Sequence, residues 1–386
     1  MSERLEDIAV QMVAGGRGLL AADESTSTIK KRFDTINLES TETSRRDYRE
    51  MLFRSDEAMK KYISGVILFE ETLFQKAADG TPFVDIIRAA GSIPGIKVDT
   101  GAKPMAKFPG ETITEGLDGL SERLARYYEA GARFAKWRGV IAISSSLPTR
   151  GSVRANAQAL ARYAALCQEA KIVPIVEPEC LMDGKPGDHN IDRCAEVTES
   201  TLRIVFEELA EARVSLEGMI LKPNMVIDGK NARKASVEEV AERTVKVLKA
   251  TVPSAVPGIA FLSGGQTTEE ASAHLSAINA TGDLPWLVTF SYGRALQDSA
   301  LKAWNGKPGK CRRWPARIHP PRRDEQPRRP RAAGRKTWNR PPDFWTWDSG
   351  GGSERSVAAP ARSPRLPHSC APLGLRPTEV TGGSIW

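Results

Sequence analysis

The chain has 386 residues and a mass of 42.1 kDa, with 40% hydrophobic and 27% charged residues, which is enough for a substantial core. Its first stretch, MSERLEDIAVQMV, mixes acids and bases and resembles neither a secretion signal nor a transit peptide. No apolar run approaches the roughly 20 residues that cross a bilayer. These features argue against a membrane partner and predict a globular cytoplasmic protein.

The net charge of +7 is unevenly distributed along the chain. Residues 307–386 carry 17 Lys and Arg against 6 Asp and Glu, whereas residues 1–306 carry 38 against 42. The same C-terminal segment holds 13 of the 25 prolines and 5 of the 8 tryptophans, with neither helical nor strand periodicity. The composition therefore divides the chain into a domain at 1–306 and a basic tail at 307–386.

Cysteine and histidine spacing bears on disulfides and metals. The five cysteines form no CxxC pair, and without a secretion signal we expect reduced thiols. The four histidines have no ligand spacing, so the sequence predicts no metal and no cofactor. The residues concerned are Cys167, Cys180, Cys194, Cys311, Cys370, His189, His274, His319 and His368.

Short apolar runs alternate with longer amphipathic segments along residues 1–306. Segments such as LDGLSERLARYYEAG and SVEEVAERTVKVLKATV repeat apolar residues at helical spacing. The apolar runs lie at 18–25, 64–71, 95–101, 134–141, 172–179, 216–224, 258–265 and 287–294. Eight such alternations predict an α/β fold, a (β/α)8 TIM barrel.

Active sites of such barrels lie at the carboxyl ends of the strands, where this sequence places mostly polar residues. Alternation along a strand puts Lys136 and Arg138 on one face, and likewise Glu177 and Glu179. The strand-end residues are Asp23, Lys136, Arg138, Glu177, Glu179, Lys222, Ser263, Gly264, Gly265, Ser291, Gly293 and Arg294. A polar barrel mouth is expected for any such protein, but this many charges converging indicate a catalytic site.

Lys222, at the end of LEGMILKPN, is the candidate nucleophile. A desolvated lysine beside a second cation, here Lys136, has a depressed pKa and attacks carbonyls to form a Schiff base. Loss of water from the carbinolamine needs a proton shuttle, for which Glu177 and Glu179 are candidates. Asp23 is placed to orient a substrate hydroxyl or to take its proton.

Two groups of residues suggest a phosphorylated substrate. SGGQ at 263–266 precedes a helix predicted to begin near Thr268, and SYGR at 291–294 adds an arginine at the eighth strand, where barrels commonly bind phosphate. A second anion region is predicted across the mouth. Its candidates are Ser25, Thr28, Arg32, Lys97 and Arg138, although solvated surface charge explains Arg32 and Lys97 equally well.

Together these motifs resemble class I fructose-bisphosphate aldolases, the Schiff-base, metal-independent type, in their bacterial branch. The resemblance runs from about residue 5 to residue 306 and rests on several long motifs. They include LLAADESTSTIKKR, GVILFEETL, GIKVDTGAKP, FAKWR, IVPIVEPE, LEGMILKPNMV, FLSGGQTTEEA and FSYGRALQDSALKAW.

The resemblance implies reversible cleavage of fructose 1,6-bisphosphate to dihydroxyacetone phosphate and glyceraldehyde 3-phosphate. It implies that Lys222 is the Schiff-base lysine and Glu177 the principal acid/base, with Glu179, Lys136 and Asp23 completing the catalytic set. Ser263, Gly264, Gly293 and Arg294 would hold the ketose-side phosphate, and Ser25, Thr28, Lys97 and Arg138, with Arg32, the other. Members are often tetramers, so a homo-oligomer is possible.

Two departures from the family pattern stand out. Ser27 replaces a usual glycine, a change expected to stiffen the first loop. After ALKAWNGKP the family continues with an alanine-rich helix, whereas this chain gives Arg, Pro and Trp. Our hypothesis is a frame shift in a GC-rich gene, tested by rereading its other frames. From about residue 310 we expect a poorly ordered segment, with lower stability and reduced activity.

Three alternatives remain open from the sequence. Another Schiff-base barrel, such as a transaldolase, would leave one phosphate region unused. A folded but inactive scaffold would follow if the tail disables catalysis. A nucleic-acid-binding protein would use the basic tail with Trp314, Trp338, Trp345 and Trp347, but the tail contains no recognised module, so we expect no specific nucleic acid.

Overall fold

The computed structural model describes residues 4–182 and 187–307, and the predicted poorly ordered tail lies outside them. The described strands are β1 (Gly18–Ala22), β2 (Ile63–Leu68), β3 (Ile93–Lys97), β4 (Gly101–Pro104), β5 (Thr112–Glu115), β6 (Phe134–Ile141), β7 (Val173–Cys180), β8 (Ile220–Leu221), β9 (Gly258–Phe261) and β10 (Leu287–Tyr292). Eight of them are parallel and close into a barrel in the order β1-β10-β9-β8-β7-β6-β3-β2. The predicted TIM barrel is confirmed.

Helices separate the barrel strands. The described helices are α1 (Leu5–Val13), α2 (Thr26–Asp34), α3 (Glu42–Phe53), α4 (Asp56–Tyr62), α5 (Glu70–Phe74), α6 (Phe83–Ala89), α7 (Leu120–Glu129), α8 (Arg150–Glu169), α9 (Ile191–Glu211), α10 (Val237–Thr251), α11 (Thr268–Ala280) and α12 (Arg294–Trp304). Local chemistry fixes some starts: Thr267 and Glu270 form a capping box, so α11 begins at the predicted Thr268. Within residues 4–182 and 187–307 no helix is long and apolar enough to cross a bilayer.

The inward faces of the strands change character from one end of the barrel to the other. On β6 the inward series runs from Phe134, in the apolar interior cluster, to Lys136 near the mouth. On β7 it runs from Ile175 to Glu177. Helix α1 presses Ile8, Ala9, Met12 and Val13 into the apolar end. The barrel is thus closed and dry at one end and charged at the other.

Glycines on two neighbouring strands make room for Phe134. A β-carbon on Gly95 would overlap the ring, and one on Gly65 would come within 2.9 Å of it. Phe134 is fully buried. One aromatic ring therefore fills interior volume that β2 and β3 leave empty.

Three elements differ from the sequence-based expectation. The third strand is 93–97, not 95–101, because Gly101 begins a separate antiparallel pair of β4 with β5. The sixth barrel strand is only two residues long and follows a 3-10 turn at Leu216–Gly218. Ser27 lies in the first turn of α2, so it does not stiffen a loop as expected.

Candidate active site

A cavity of about 610 Å³ opens at the carboxyl ends of the barrel strands. Every catalytic or substrate-binding residue proposed from the sequence lines it. They are Asp23, Ser25, Thr28, Arg32, Lys97, Lys136, Arg138, Glu177, Glu179, Lys222, Ser263, Gly264, Ser291, Gly293 and Arg294. The closed barrel brings together residues that lie up to about 270 positions apart.

Lys222 and Lys136 share one carboxylate at the bottom of this cavity. The Nζ atom of Lys222 lies 2.9 Å from Oε1 of Glu177, and Nζ of Lys136 lies 3.5 Å from Oε2 of the same residue. All three side chains are at most 5% exposed. Lys222 follows directly on β8, since Pro223 cannot extend the strand. Proton exchange between Lys222 and Glu177 therefore needs no intervening water.

Asp23 extends this row of charges from the end of β1. Its Oδ2 lies 2.9 Å from Nζ of Lys136. Burial alone would raise the pKa of Asp23, but the ammonium groups of Lys136, Lys222 and Lys97 outweigh it and hold the pKa well below its usual range. Asp23 is consequently ionised at neutral pH.

Lys136 keeps its charge for the complementary reason. Burial alone would lower the pKa of this lysine, but the carboxylates of Asp23, Glu177 and Asp99 raise it above its usual value. The cavity floor therefore holds a permanently charged ammonium beside Lys222. The carboxylate of Glu177 thus lies within 3.5 Å of both ammonium groups.

Asp99 is a cavity residue that the sequence analysis did not single out. It is buried, and its carboxylate lies 2.8 Å from Nζ of Lys97 and 3.7 Å from Nζ of Lys136. The backbone N–H of Arg138 also donates to it, over 3.4 Å. The only available signal was its place two residues after Lys97, on the same face of the extended chain.

Glu179 holds Arg138 at the opposite wall. The guanidinium of Arg138 donates to the Glu179 carboxylate, which is 8% exposed. A β-carbon on Gly264 would come 2.9 Å from Oε1 of Glu179. Gly264 therefore leaves room for this carboxylate.

Hydroxyl groups gather at the start of α2. Ser25 Oγ lies 3.0 Å from Thr28 Oγ1 and 3.2 Å from Ser27 Oγ. Arg32, one turn further along, points to Glu24, whose Oε1 lies 2.7 Å from its Nη1. Glu24 is a second cavity residue that the sequence analysis missed, although it stands inside the quoted motif AADES.

Arg294 differs from the other cations of the cavity. Each of the other five lies within 4.0 Å of a carboxylate, whereas Arg294 has no such partner among residues 4–182 and 187–307. The pairs are Arg32–Glu24, Lys97–Asp99, Lys136–Asp23, Arg138–Glu179 and Lys222–Glu177. Arg294 is exposed, and nearby Ser291 Oγ lacks a hydrogen-bond partner within the same ranges. This corner offers uncompensated donors to an anion.

The arrangement supports amine addition to a carbonyl with proton transfer by a carboxylate. Lys222 and Glu177 supply that pair, and Asp23 supplies a second, ionised acceptor across Lys136. Two further groups of donors line the cavity, one at the ends of β9 and β10 and one at the start of α2. The cavity therefore fits a carbonyl compound with anionic groups at its ends.

Comparisons with known proteins agree on one family. A family model described as fructose-bisphosphate aldolase class-I matches residues 4–317. A probable fructose-bisphosphate aldolase class 1 of Xanthomonas campestris is 57% identical over 304 residues, 78% of this chain and 90% of that protein. The cytoplasmic isozyme 2 of fructose-bisphosphate aldolase from Pisum sativum is 55% identical over 293 residues, 76% of this chain and 81% of the relative.

The structure also resembles a solved aldolase. The fructose-bisphosphate aldolase of Plasmodium falciparum, solved in complex with TRAP and a small-molecule inhibitor, superposes with a TM-score of 0.77 at 52% identity. The match covers 80% of this chain and 88% of that one.

Proposed function

The chain belongs to the class I fructose-bisphosphate aldolase family, and on that premise we propose the roles of its cavity residues. The activity is the reversible aldol cleavage of fructose 1,6-bisphosphate to dihydroxyacetone phosphate and glyceraldehyde 3-phosphate. The observation that carries the assignment of roles is the buried contact of 2.9 Å between Lys222 Nζ and Glu177 Oε1.

Lys222 acts as the nucleophile and Glu177 as its acid/base partner. Glu177 accepts a proton from Lys222, and the free amine adds to the carbonyl carbon of the sugar. Glu177 then returns a proton to the carbinolamine oxygen, which leaves as water. The product is an iminium ion, which draws electrons from the adjacent carbon–carbon bond.

Asp23 serves the bond-breaking step. Its ionised carboxylate takes the proton of the hydroxyl on the carbon that becomes the aldehyde. The electron pair of the breaking carbon–carbon bond moves onto the iminium, which becomes an enamine. Protonation of the enamine and hydrolysis of the iminium release the ketose product and restore Lys222.

The remaining charged residues set the electrostatics of these steps. Lys136 stays protonated between Asp23 and Glu177, so it stabilises either carboxylate when that group is ionised. Glu179 holds Arg138 and is a second candidate for proton transfer beside Glu177. Neither step requires a cofactor or a metal.

Two groups of donors bind the two phosphates. Ser263, Gly264, Ser291, Gly293 and Arg294 bind the ketose-side phosphate, supported by the guanidinium of Arg294, which pairs with no carboxylate of residues 4–182 and 187–307. Ser25, Thr28, Lys97 and Arg138, with Arg32, bind the other phosphate. Because Lys97, Arg138 and Arg32 are paired with carboxylates, the second subsite is electrostatically the weaker one.

Trapping with borohydride tests the nucleophile. The purified protein is incubated with dihydroxyacetone phosphate in EDTA and reduced, and its peptides are mapped by mass spectrometry. We expect one substrate adduct, on the peptide containing Lys222. An adduct on Lys136 alone would contradict the assignment, and no adduct from folded protein would favour the inactive scaffold.

A matched variant separates chemistry from charge. Lys222→Arg keeps the positive charge beside Glu177 but cannot form a Schiff base. We expect no adduct and no cleavage from this variant, while Lys97→Arg, which changes a lysine of the phosphate subsite in the same way, still yields the adduct.

We also propose the organisation of the chain and its cellular setting. Residues 1–306 form the catalytic domain and residues 307–386 a separate tail, supported by the change in composition and by the end of the family match at 317. Limited proteolysis should cut first beyond residue 306. A cytoplasmic location is supported by the name of the pea relative. We propose a homo-oligomer, which light scattering of the purified protein tests directly.

A further inference from the structure

Glu24 is a buried carboxylate that the reaction does not use. It stands directly after Asp23, its side chain is 4% exposed, and both of its oxygens meet a guanidinium. Oε1 lies 2.7 Å from Arg32 Nη1, and Oε2 lies 2.6 Å from Arg49 Nη1. Arg49, on α3, is itself 3% exposed. Burying Glu24 and Arg49 is costly in desolvation even when they are paired, which calls for a reason beyond stability.

A third contact joins Glu24 to the last described helix. Gln297, on α12, donates from Nε2 to Glu24 Oε1 over 2.9 Å and to the carbonyl of Ala21 over 2.6 Å. Its own Oε1 accepts from the hydroxyl of Tyr48 over 2.9 Å. Gln297 is 1% exposed, so water does not compete for these bonds.

Glu24 and its partner Gln297 adjoin two different phosphate subsites. Glu24 immediately precedes Ser25 at the start of α2, and Gln297 lies one turn after Arg294 at the start of α12. Arg32 fills the space between them, because its Nη2 lies 3.7 Å from where a β-carbon of Gly293 would stand. A single carboxylate therefore ties together the two segments that grip the ends of the substrate.

We propose that Glu24 is a positioning residue that fixes the separation of the two phosphate subsites and so sets the preference for a bisphosphate over a monophosphate. The proposal rests on the proposed function of the cavity. A sugar with two phosphates needs both subsites at a fixed distance, whereas fructose 1-phosphate needs only the ketose-side subsite. Weakening the contacts of Glu24 should therefore reduce binding of the bisphosphate more than binding of the monophosphate.

Steady-state kinetics with both sugars tests this in the full chain. In Glu24→Gln we expect the ratio of kcat/KM for fructose 1,6-bisphosphate to that for fructose 1-phosphate to fall about tenfold, because the neutral amide weakens both charge-assisted contacts. The lower ratio should come from a higher KM for the bisphosphate, with kcat nearly unchanged. If Glu24 had a purely structural role, kcat/KM would fall equally for both sugars.

Two further variants guard against misfolding. Glu24→Gln/Arg49→Met removes the carboxylate together with the charge of Arg49, so the more deeply buried of its two arginine partners is not left unpaired, while Arg32 is 19% exposed and reaches water. Gln297→Met keeps both ion pairs and removes the hydrogen bonds that join α12 to Glu24, to the Ala21 carbonyl and to the Tyr48 hydroxyl. We expect the first to reproduce the tenfold fall and the second to give a fall of about threefold.

Glu71→Gln is the matched control, because it removes a carboxylate paired with an arginine, Arg45, outside the cavity. Its substrate ratio should equal that of the wild type. An unchanged or increased ratio in the Glu24 variants would overturn the proposal, while the wild-type activity would stand. A wild type that cleaves neither sugar would instead reject the proposed function.

Discussion

The two ends of the barrel interior are built by the same strands and differ in nearly every other respect. At the α1 end, Phe134, Ile175 and Ile220 pack with Met12 in a dry apolar cluster. Two residues further along the same strands stand Lys136, Glu177 and Lys222, in a cavity lined by six cations and five carboxylates. On each of these strands, two residues therefore separate the apolar core from the active site.

This contrast shows how stability and function share one fold. The apolar end contributes burial, the main favourable term in folding. The charged end brings like and unlike charges out of water, which gives little net stability even when the ions are paired. We therefore expect substitutions at the mouth to change activity more than stability, and substitutions at the closed end to do the reverse.

Lys222→Met should produce the largest effect. We expect cleavage of fructose 1,6-bisphosphate to fall by at least ~10⁴-fold, since the nucleophile is removed. The free energy of unfolding should change by less than about 2 kcal/mol, because Glu177 keeps its contact with Lys136. Coupled-assay kinetics and urea unfolding measure the two quantities. A variant that unfolds in proportion to its lost activity would break the comparison.

Phe134→Ala probes the other end. Removing a fully buried ring that Gly65 and Gly95 accommodate should lower the free energy of unfolding by about 3–5 kcal/mol. The kcat of the molecules that remain folded should stay within about threefold of the wild type, since the ring does not line the cavity. Urea unfolding measures the free energy of unfolding, and active-site titration by borohydride trapping counts the folded molecules to which kcat refers.

The dependence of stability on pH should follow Asp23. Its pKa is depressed in the folded state, so its ionisation stabilises the protein above the unfolded pKa of about 4 and this contribution is lost on acidification. Between pH 6 and pH 3 the wild type should lose about 1 kcal/mol more than Asp23→Asn, and the rest of this contribution is lost below pH 3. Parallel pH profiles for the two proteins would contradict the assignment.

Ser27→Gly should give the smallest effect, and it tests whether the phosphate subsite extends to this residue. Ser27 lies near the cavity but is exposed and does not line it. Restoring the usual glycine in the first turn of α2 should lower stability by roughly 0.5 kcal/mol through helix propensity. A change in KM above about threefold would extend the phosphate subsite to this hydroxyl.

Periodicity was sufficient to predict the barrel, because each buried parallel strand appears as a short apolar run between amphipathic helices. It failed for β4 and β5, which are four residues each and are defined by pairing across a loop. It also placed β3 too late, because the run GIKVDTG continues past the strand into the loop that leads to β4.

Candidate site residues could be predicted from the sequence wherever a charged side chain ends an apolar run, as at Lys222 and Glu177. Asp99 and Glu24 were missed because each also contacts a residue far away in sequence, Lys136 and Gln297 respectively. Glu24 meets Gln297 across 273 positions, and no local pattern records that contact. The fine electrostatics of a barrel mouth therefore has to be observed in three dimensions.

The pairing of β1 with β10 has a consequence for how the protein is made. Leu19 lies in register with Ser291, so the first strand emerges from the ribosome long before the partner that covers its edge. Until then the growing sheet presents unpaired backbone groups along β1, the kind of edge that invites aggregation. Barrel closure is thus a late event of synthesis, since this edge of β1 is covered only after nearly three hundred residues have been translated.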